Sequence, residues 1–314
     1  MGKKLLHAAH FTHSLKRHSK NRFKRIAKFI EDDVARVRPQ GRPNDKKLYK
    51  YWKNRKALFS RVDSGSIYMT DELWFSVTPE NIARFVAEFC RACVPEVRTV
   101  LDVFCGGGGN SIQFAMQFSR VIGVDNSLEH LYCTAQNAKV YDVADRIWLR
   151  YGSWVKFAKE GSQSPKLEFW QKLDIGVVFA SPPWGGPEYL RETSYDVERH
   201  LKPLPLSKLL ESFFKISKNV ILFLPRNCNL YQLARITRRL LGPMAKCRVL
   251  YVKDNGYLKG ILCMWGEPFV HYTSSQVGDD GSQETSSNER SESVDDEGKT
   301  KSRKLDDSLY DISG

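Results

Sequence analysis

Long apolar runs are missing from this sequence. No stretch approaches the roughly 18 consecutive apolar residues that a bilayer-spanning helix needs. Hydrophobic residues still make up 41% of the 314 positions, enough for a globular core. The N-terminus, Met1-Gly2-Lys3-Lys4, lacks the apolar stretch of a signal peptide. Cysteines are few and form no framework. The seven (Cys90, Cys93, Cys105, Cys133, Cys228, Cys247 and Cys263) are odd in number and scattered. Cys90 and Cys93 form the one CxxC, without a second pair or a nearby histidine, so no metal is expected. Buried thiols in a reducing compartment are the expectation. No internal repeat is present.

Acids are scarce at one end and bases at the other. Residues 1–56 hold 18 Lys or Arg against 4 Asp or Glu, whereas residues 273–314 hold 5 against 11. The net charge is +13. A basic segment of this density suits a phosphate backbone, which releases counterions when neutralised. It also suits a nuclear address, as in the run Lys16-Arg17-His18-Ser19-Lys20. The expected organisation is a basic, mobile arm over 1–45, a helical extension over 46–78, a catalytic domain over 79–271, and an acidic Ser-rich disordered tail over 272–314. Within the extension, residues 47–59 mix cations with Tyr49, Tyr51, Trp52 and Phe59. They read as a short helix with an aromatic and a basic face.

From Pro79 onward, strands and helices alternate. Apolar runs predict strands at 97–103, 121–124, 147–151, 174–180 and 220–224. Helices fall at 110–118, 128–141, 207–216 and 230–241. Two further strands, 247–252 and 257–265, flank the turn Asp254-Asn255-Gly256. Such alternation predicts an α/β fold: a mostly parallel, Rossmann-like sheet with helices on both faces and one antiparallel strand near an edge.

Two strand ends carry chemistry. The run Asp102-Val103-Phe104-Cys105-Gly106-Gly107-Gly108-Gly109-Asn110 takes a buried strand into four glycines and a helix. Glycines allow positive φ and close approach of a ligand, and the helix start offers free N–H groups. The next strand ends at Asp125, where an acid can hold ribose hydroxyls. This pattern fits a nicotinamide dinucleotide and S-adenosylmethionine equally. The fourth strand separates them, because it ends in Ser181-Pro182-Pro183-Trp184. Two prolines fix an extended backbone without N–H donors. Their carbonyls and the Ser181 hydroxyl are acceptors for an exocyclic amino group, and Trp184 can stack on the ring bearing it. The reading is an S-adenosylmethionine-dependent amino-methyltransferase.

The longer motifs DVFCGGGGN, SPPWGGPEY and FLPRN, with YWKNRKALFS and ELWFSVTPE upstream, resemble the trimethylguanosine synthase family of RNA cap hypermethylases over about residues 47–266. The resemblance implies a class I methyltransferase domain with a seven-stranded sheet. It also implies transfer of two methyl groups to N2 of a 7-methylguanosine cap on small nuclear and small nucleolar RNAs. By position, Asp102, Cys105, Gly106 and Asp125 would hold S-adenosylmethionine, with Phe59 and Thr78 closing its pocket. Trp184 would stack on 7-methylguanine beside Ser181 and Pro182, with Asp102 completing the catalytic set. Asn137 would contact the cap, Trp74 would sit in the closing segment, and Lys50 and Arg226 would reach the triphosphate. Ser153 stands where many relatives place an acid for the adenine amine. Implied partners are capped RNA and small ribonucleoprotein core proteins with basic tails, acting with a monomer in the nucleus and nucleolus. Adenine N6 methylation and a non-catalytic assembly role are the rival readings.

Overall fold

Five apolar runs build the centre of the molecule, and each lies in a parallel sheet covered on both faces. The computed structural model describes residues 5–19, 38–39, 42–43, 45–158, 165–186, 189, 192–254 and 256–273. The expected acidic tail and much of the expected basic arm lie outside those residues. The main sheet has strands β1 (Leu6–His7), β2 (Thr99–Val103), β3 (Arg120–Asp125), β4 (Ile147–Tyr151), β5 (Val177–Ala180), β6 (Val220–Leu224), β7 (Arg248–Asp254) and β8 (Tyr257–Trp265). Every residue of β2, β5 and β6 is buried, as strands sandwiched between helix layers require.

The spatial order is β1-β4-β3-β2-β5-β6-β8-β7. Strands β2 to β6 run parallel, and β8 is antiparallel to both β6 and β7. The chain starts in the middle at β2, winds outward to β4, then crosses back to β5. Ligands bind outside the carboxyl ends of strands at such a reversal. Here those ends carry the glycine turn after β2 and SPPW after β5.

Helices α1 (Phe11–Ser19), α2 (Glu80–Cys93), α3 (Gly109–Gln117), α4 (Leu128–Val140), α5 (Leu206–Phe214) and α6 (Leu230–Leu241) supply the layers. One apolar core joins Ile82, Val86, Phe114 and Leu131 to one sheet face; the other joins Leu209, Phe213, Leu233 and Ile236 to the opposite face. Buried polar tips are satisfied within each layer. The Trp265 indole donates to Thr237 Oγ1 at 2.9 Å, and Trp154 to Ser212 Oγ at 2.9 Å. Asn229 and Ser127 cap α6 and α4 through their side chains. Cys90 and Cys93 are buried one turn apart on α2, and burial pushes the Cys93 thiol up to about 12.

Two expectations change. The sheet has eight strands, not seven, because Leu6–His7 adds antiparallel to the outer edge of β4. His7 also packs edge-on against Trp148, with ring centroids 4.7 Å apart. The beginning of the expected mobile arm is therefore anchored: Ala8, Phe11 and Leu15 are buried in the first core. Phe11 and Leu15 stand four residues apart, one apolar stripe on a helix. In addition, the expected single helix over 47–59 is two short ones, Tyr49–Lys53 and Arg55–Leu58, broken at Asn54.

Phe11 is a fully buried aromatic at the molecular edge. Phe11→Ala should cost about 3 kcal/mol and lower the melting temperature by roughly 6–12 °C. Thermal unfolding followed by circular dichroism checks this; an unchanged midpoint would show that the N-terminal segment is not part of the fold.

Candidate active site

The glycine turn has no side chains of its own, so neighbours hold it. Phe104, Gly106 and Gly108 all take positive φ, at 68°, 54° and 87°. A Cβ on Gly108 would come within 2.9 Å of Thr134, so only glycine fits there. The Asp125 carboxylate accepts from Gly106 N at 3.0 Å and from Ser127 N at 2.8 Å. Thr134 Oγ1 donates to Gly106 O at 2.6 Å. Asn137 Nδ2 donates to Gly107 O at 2.9 Å and to Tyr68 O at 3.1 Å, while its Oδ1 accepts from Tyr68 N at 2.7 Å. The sides of Gly106 and Gly107 that a side chain would fill face Leu73 of the extension. The close approach that these glycines permit is thus partly to the closing segment.

Several residues expected to touch ligand are placed behind the site instead. Asn137 is completely buried with its amide engaged by backbone on two elements, so it ties the extension to the turn and does not face a cap. Asp102 is also buried, and accepts from Ser111 Oγ under the turn. Burial pushes its carboxyl up to about 7; the Ser111 hydrogen bond opposes this, and repulsion from Asp125 adds to it. Asp102 therefore ties the end of β2 to α3 through Ser111. The Cys105 side chain turns inward over Gly123, leaving its backbone at the turn. Phe59 is buried with its ring 6.2 Å from Tyr141, and Trp74 is buried in the same core. Both shape the extension from within. Thr78 does lie beside the turn, where its Oγ1 accepts from Asn110 Nδ2 at 3.0 Å.

The target end is organised by Trp184. Its indole N–H donates to Phe223 O at 3.2 Å, and its carbonyl accepts from Tyr195 Oη at 3.1 Å. Tyr189 and Phe223 flank the half-buried indole, with centroids at 5.2 and 5.3 Å. Pro183 O is taken by Lys202 N at 3.1 Å. Among the described residues, no partner engages the Ser181 hydroxyl or the carbonyls of Ser181 and Pro182, so acceptors remain where an amino group would lie. Tyr195 N donates to Asn227 O at 2.7 Å and Asn229 N donates to Tyr195 O at 3.2 Å, which ties the loop after SPPW to the segment after β6. Sequence reading missed Tyr189, Tyr195 and Asn227. Asn227 Nδ2 donates to the carbonyls of Tyr189 and Glu192, and its place in FLPRN is the signal that could have found it.

Exposed cations rim this end. Arg226 donates to Leu258 O at 3.2 Å, and Lys50 Nζ lies 4.8 Å from the Tyr51 ring. Burial raises the Tyr189 hydroxyl, against Arg226 and with Tyr51, which places both groups around it. The 49–53 helix therefore reaches the rim of the same cleft. Beside the turn, burial opposes a charged His130, but its hydrogen bond to Asp125 prevails and raises its pKa.

The family model for RNA cap guanine-N2 methyltransferase matches residues 97–268. The chain belongs to the RNA cap guanine-N2 methyltransferase family. It is 56% identical over 273 residues to the trimethylguanosine synthase of Saccharomyces cerevisiae, covering 87% of this chain and 84% of that protein. The trimethylguanosine synthase of Schizosaccharomyces pombe is 36% identical over 197 residues, 61% of this chain and 76% of that protein. Among solved structures, a putative methyltransferase from Porphyromonas gingivalis W83 aligns with a TM-score of 0.49 at 12% identity, covering 83% of this chain and 58% of that one.

A methyltransferase of this family needs a methyl donor, and the turn fits S-adenosylmethionine. Asn110 Oδ1 is buried without a partner among the described residues, an acceptor suited to an amino acid's ammonium group. The Asp125 carboxylate can accept ribose hydroxyls in addition to its backbone donors. Ser153 follows β4 at the same edge with its side chain half-exposed, next to Gly152, whose N–H binds Asp125 O at 2.9 Å.

Asp102 generates a pH dependence. Its pKa rises on folding from an ordinary 3.8 to about 7, so the folded state holds the proton longer. Stability should therefore fall as pH climbs from about 4 to about 7, by a few kcal/mol at most. Asp102→Asn keeps an acceptor for Ser111 and removes the ionisation. Urea unfolding of both proteins across this range should show the decline in the native chain alone; parallel profiles would refute the assignment.

Proposed function

We propose that this chain is a trimethylguanosine synthase. It transfers two methyl groups from S-adenosylmethionine to N2 of a 7-methylguanosine cap, giving 2,2,7-trimethylguanosine. The observation that carries the reading is the SPPW shelf. Acceptor oxygens of Ser181 and Pro182 stand next to an indole fixed by Phe223, at the strand end adjoining the glycine turn. The identity to curated trimethylguanosine synthases supports the same reaction.

The bound cofactor supplies an electrophilic methyl carbon on a positively charged sulfur. The residues that would hold it are Asn110, Asp125, Ser153 and the backbone of Cys105 and Gly106. The exocyclic amine is a weak nucleophile, because its lone pair is drawn into the purine. The Ser181 hydroxyl and the free carbonyls accept its hydrogens and aim the lone pair, so positioning supplies most of the rate gain. One proton leaves the nitrogen at each transfer, toward these oxygens and then water. After the first transfer one N–H remains, and the row of acceptors still orients it for the second.

Trp184 distinguishes a methylated cap from guanosine. N7-methylation makes the base cationic, and an electron-rich indole face attracts it by about 0.5–2 kcal/mol. Lys50 and Arg226 at the rim would meet the triphosphate. The RNAs served are small nuclear and small nucleolar RNAs, in the nucleus and nucleolus, with small ribonucleoprotein core proteins as partners. The basic residues near the N-terminus support these assignments.

The test is mass spectrometry of a 7-methylguanosine cap analogue incubated with the protein and S-adenosylmethionine. Gain of two methyl groups is expected, and none with an unmethylated guanosine cap. Trp184→Ala should lower turnover at least a hundredfold while calorimetry shows S-adenosylmethionine binding nearly unchanged. Equal loss of both would mean that the indole organises the cofactor end and does not read the base.

A further inference from the structure

Between Glu211 and Asp254 the sequence has no acidic residue and nine Lys or Arg. This stretch ends β6, forms α6 and leads into the β7–β8 hairpin. Part of it lies at the carboxyl edge of the sheet, the edge that carries SPPW. Because β8 runs antiparallel to β6 with Ile261 opposite Leu224, the beginning of β8 lies beside the end of β6. The Arg226 bond to Leu258 O fixes that neighbourhood.

Large side chains here face solvent without packing. Tyr231, in the first turn of α6, is 89% exposed, and Tyr257, at the start of β8, is 71% exposed. Tyr231, Arg235 and Arg239 are spaced four apart and all exposed, so they form one stripe along α6. Lys259 extends its ammonium to 6.0 Å from the Tyr257 ring. Helix stabilisation accounts for Arg239, which sits in the last turn near unpaired carbonyls. It does not account for Arg235 or for either exposed ring.

We propose that this surface binds the single-stranded RNA that follows the cap. Tyr231 and Tyr257 stack on bases, while Arg235, Arg239 and Lys259 meet phosphates. Asp196, the acid that meets α6, is engaged by Gln232 Nε2 at 2.7 Å, and Asp254 opposite Tyr257 is buried. Exposed rings interleaved with cations have the composition that sequence-tolerant single-strand binding uses. Charge favours RNA over an apolar partner, and continuity favours it as well: Arg226, at the rim of the cap cleft, leads into both halves of the surface. The proposal rests on the cap-methylation reading.

The test compares a 7-methylguanosine cap dinucleotide with a capped, unstructured oligonucleotide, both as methyl acceptors for the full chain. The native protein should show a lower KM for the oligonucleotide. The double variant Tyr231→Ala/Tyr257→Ala should raise that KM by about tenfold or more. KM and kcat for the dinucleotide should not move, which also shows that the variant is folded. Arg235→Ala should reduce the slope of log affinity against log salt by about 0.7 for the oligonucleotide. Equal KM values for both substrates in the native protein would overturn the proposal and leave the surface to a protein partner. So would a variant that weakens both substrates alike. Methylation of neither substrate by the native protein would instead defeat the cap-methylation reading itself.

Discussion

The site depends on a turn that cannot hold itself. Four glycines follow β2, with Gly108 where a Cβ would strike Thr134, and they contribute no side-chain packing to keep the backbone there. Asp125, Thr134 and Asn137 do so from two other elements, through hydrogen bonds of 2.6–3.0 Å to Gly106 and Gly107. The bonds of Asn137 are the most consequential. The same amide binds both the N–H and the carbonyl of Tyr68, so the turn and the N-terminal extension share one buried anchor. Leaving a buried amide unpaired costs about 1–3 kcal/mol. Detaching the extension would thus disturb the cofactor end as well as uncover it.

The target end uses the opposite means. SPPW has fixed backbone but needs its tryptophan held upright, and this is done from β6. Trp184 packs against both apolar cores, at the seam where the two helix layers meet the sheet edge. Its N–H is committed to Phe223 and its carbonyl to Tyr195, so the indole has little freedom to follow a ligand. A rigid ring costs less entropy on stacking than a mobile one. The acceptors that remain unengaged belong to Ser181 and Pro182, and an amine with two hydrogens is the group they suit.

The legible parts of this protein were those encoded locally. Strand periodicity, the glycine turn, Asp125 and SPPW all lie in short contiguous runs, and the structure brings them to one edge as expected. Residues whose role depends on distant neighbours were not legible. Asn137 sits on a helix face whose direction the sequence does not show, and the family resemblance could mark it without telling contact from support. Asp102, Cys105 and Phe59 were displaced behind the site for the same reason. The N-terminal strand was hidden because two residues carry no periodicity, and the apolar pair Phe11 and Leu15 was masked by the charge around it.

Charge explains why such a site divides its labour. A methylated cap presents a positive ring at the head of a strongly negative chain. Cations that attract the chain would repel the ring if both were read at one point. At the centre stand an uncharged indole and neutral oxygens, Trp184, Ser181 and Pro182. Lys50 and Arg226 are exposed at the rim, where water moderates their field. The Asp125 carboxylate beside the turn is engaged by backbone donors and by His130, so little of its charge is directed at the phosphates. Sheet topology makes this separation possible. The reversal between β2 and β5 fixes where the methyl donor and the amine meet, while the later strands β6 and β8 carry cations outward along the same edge.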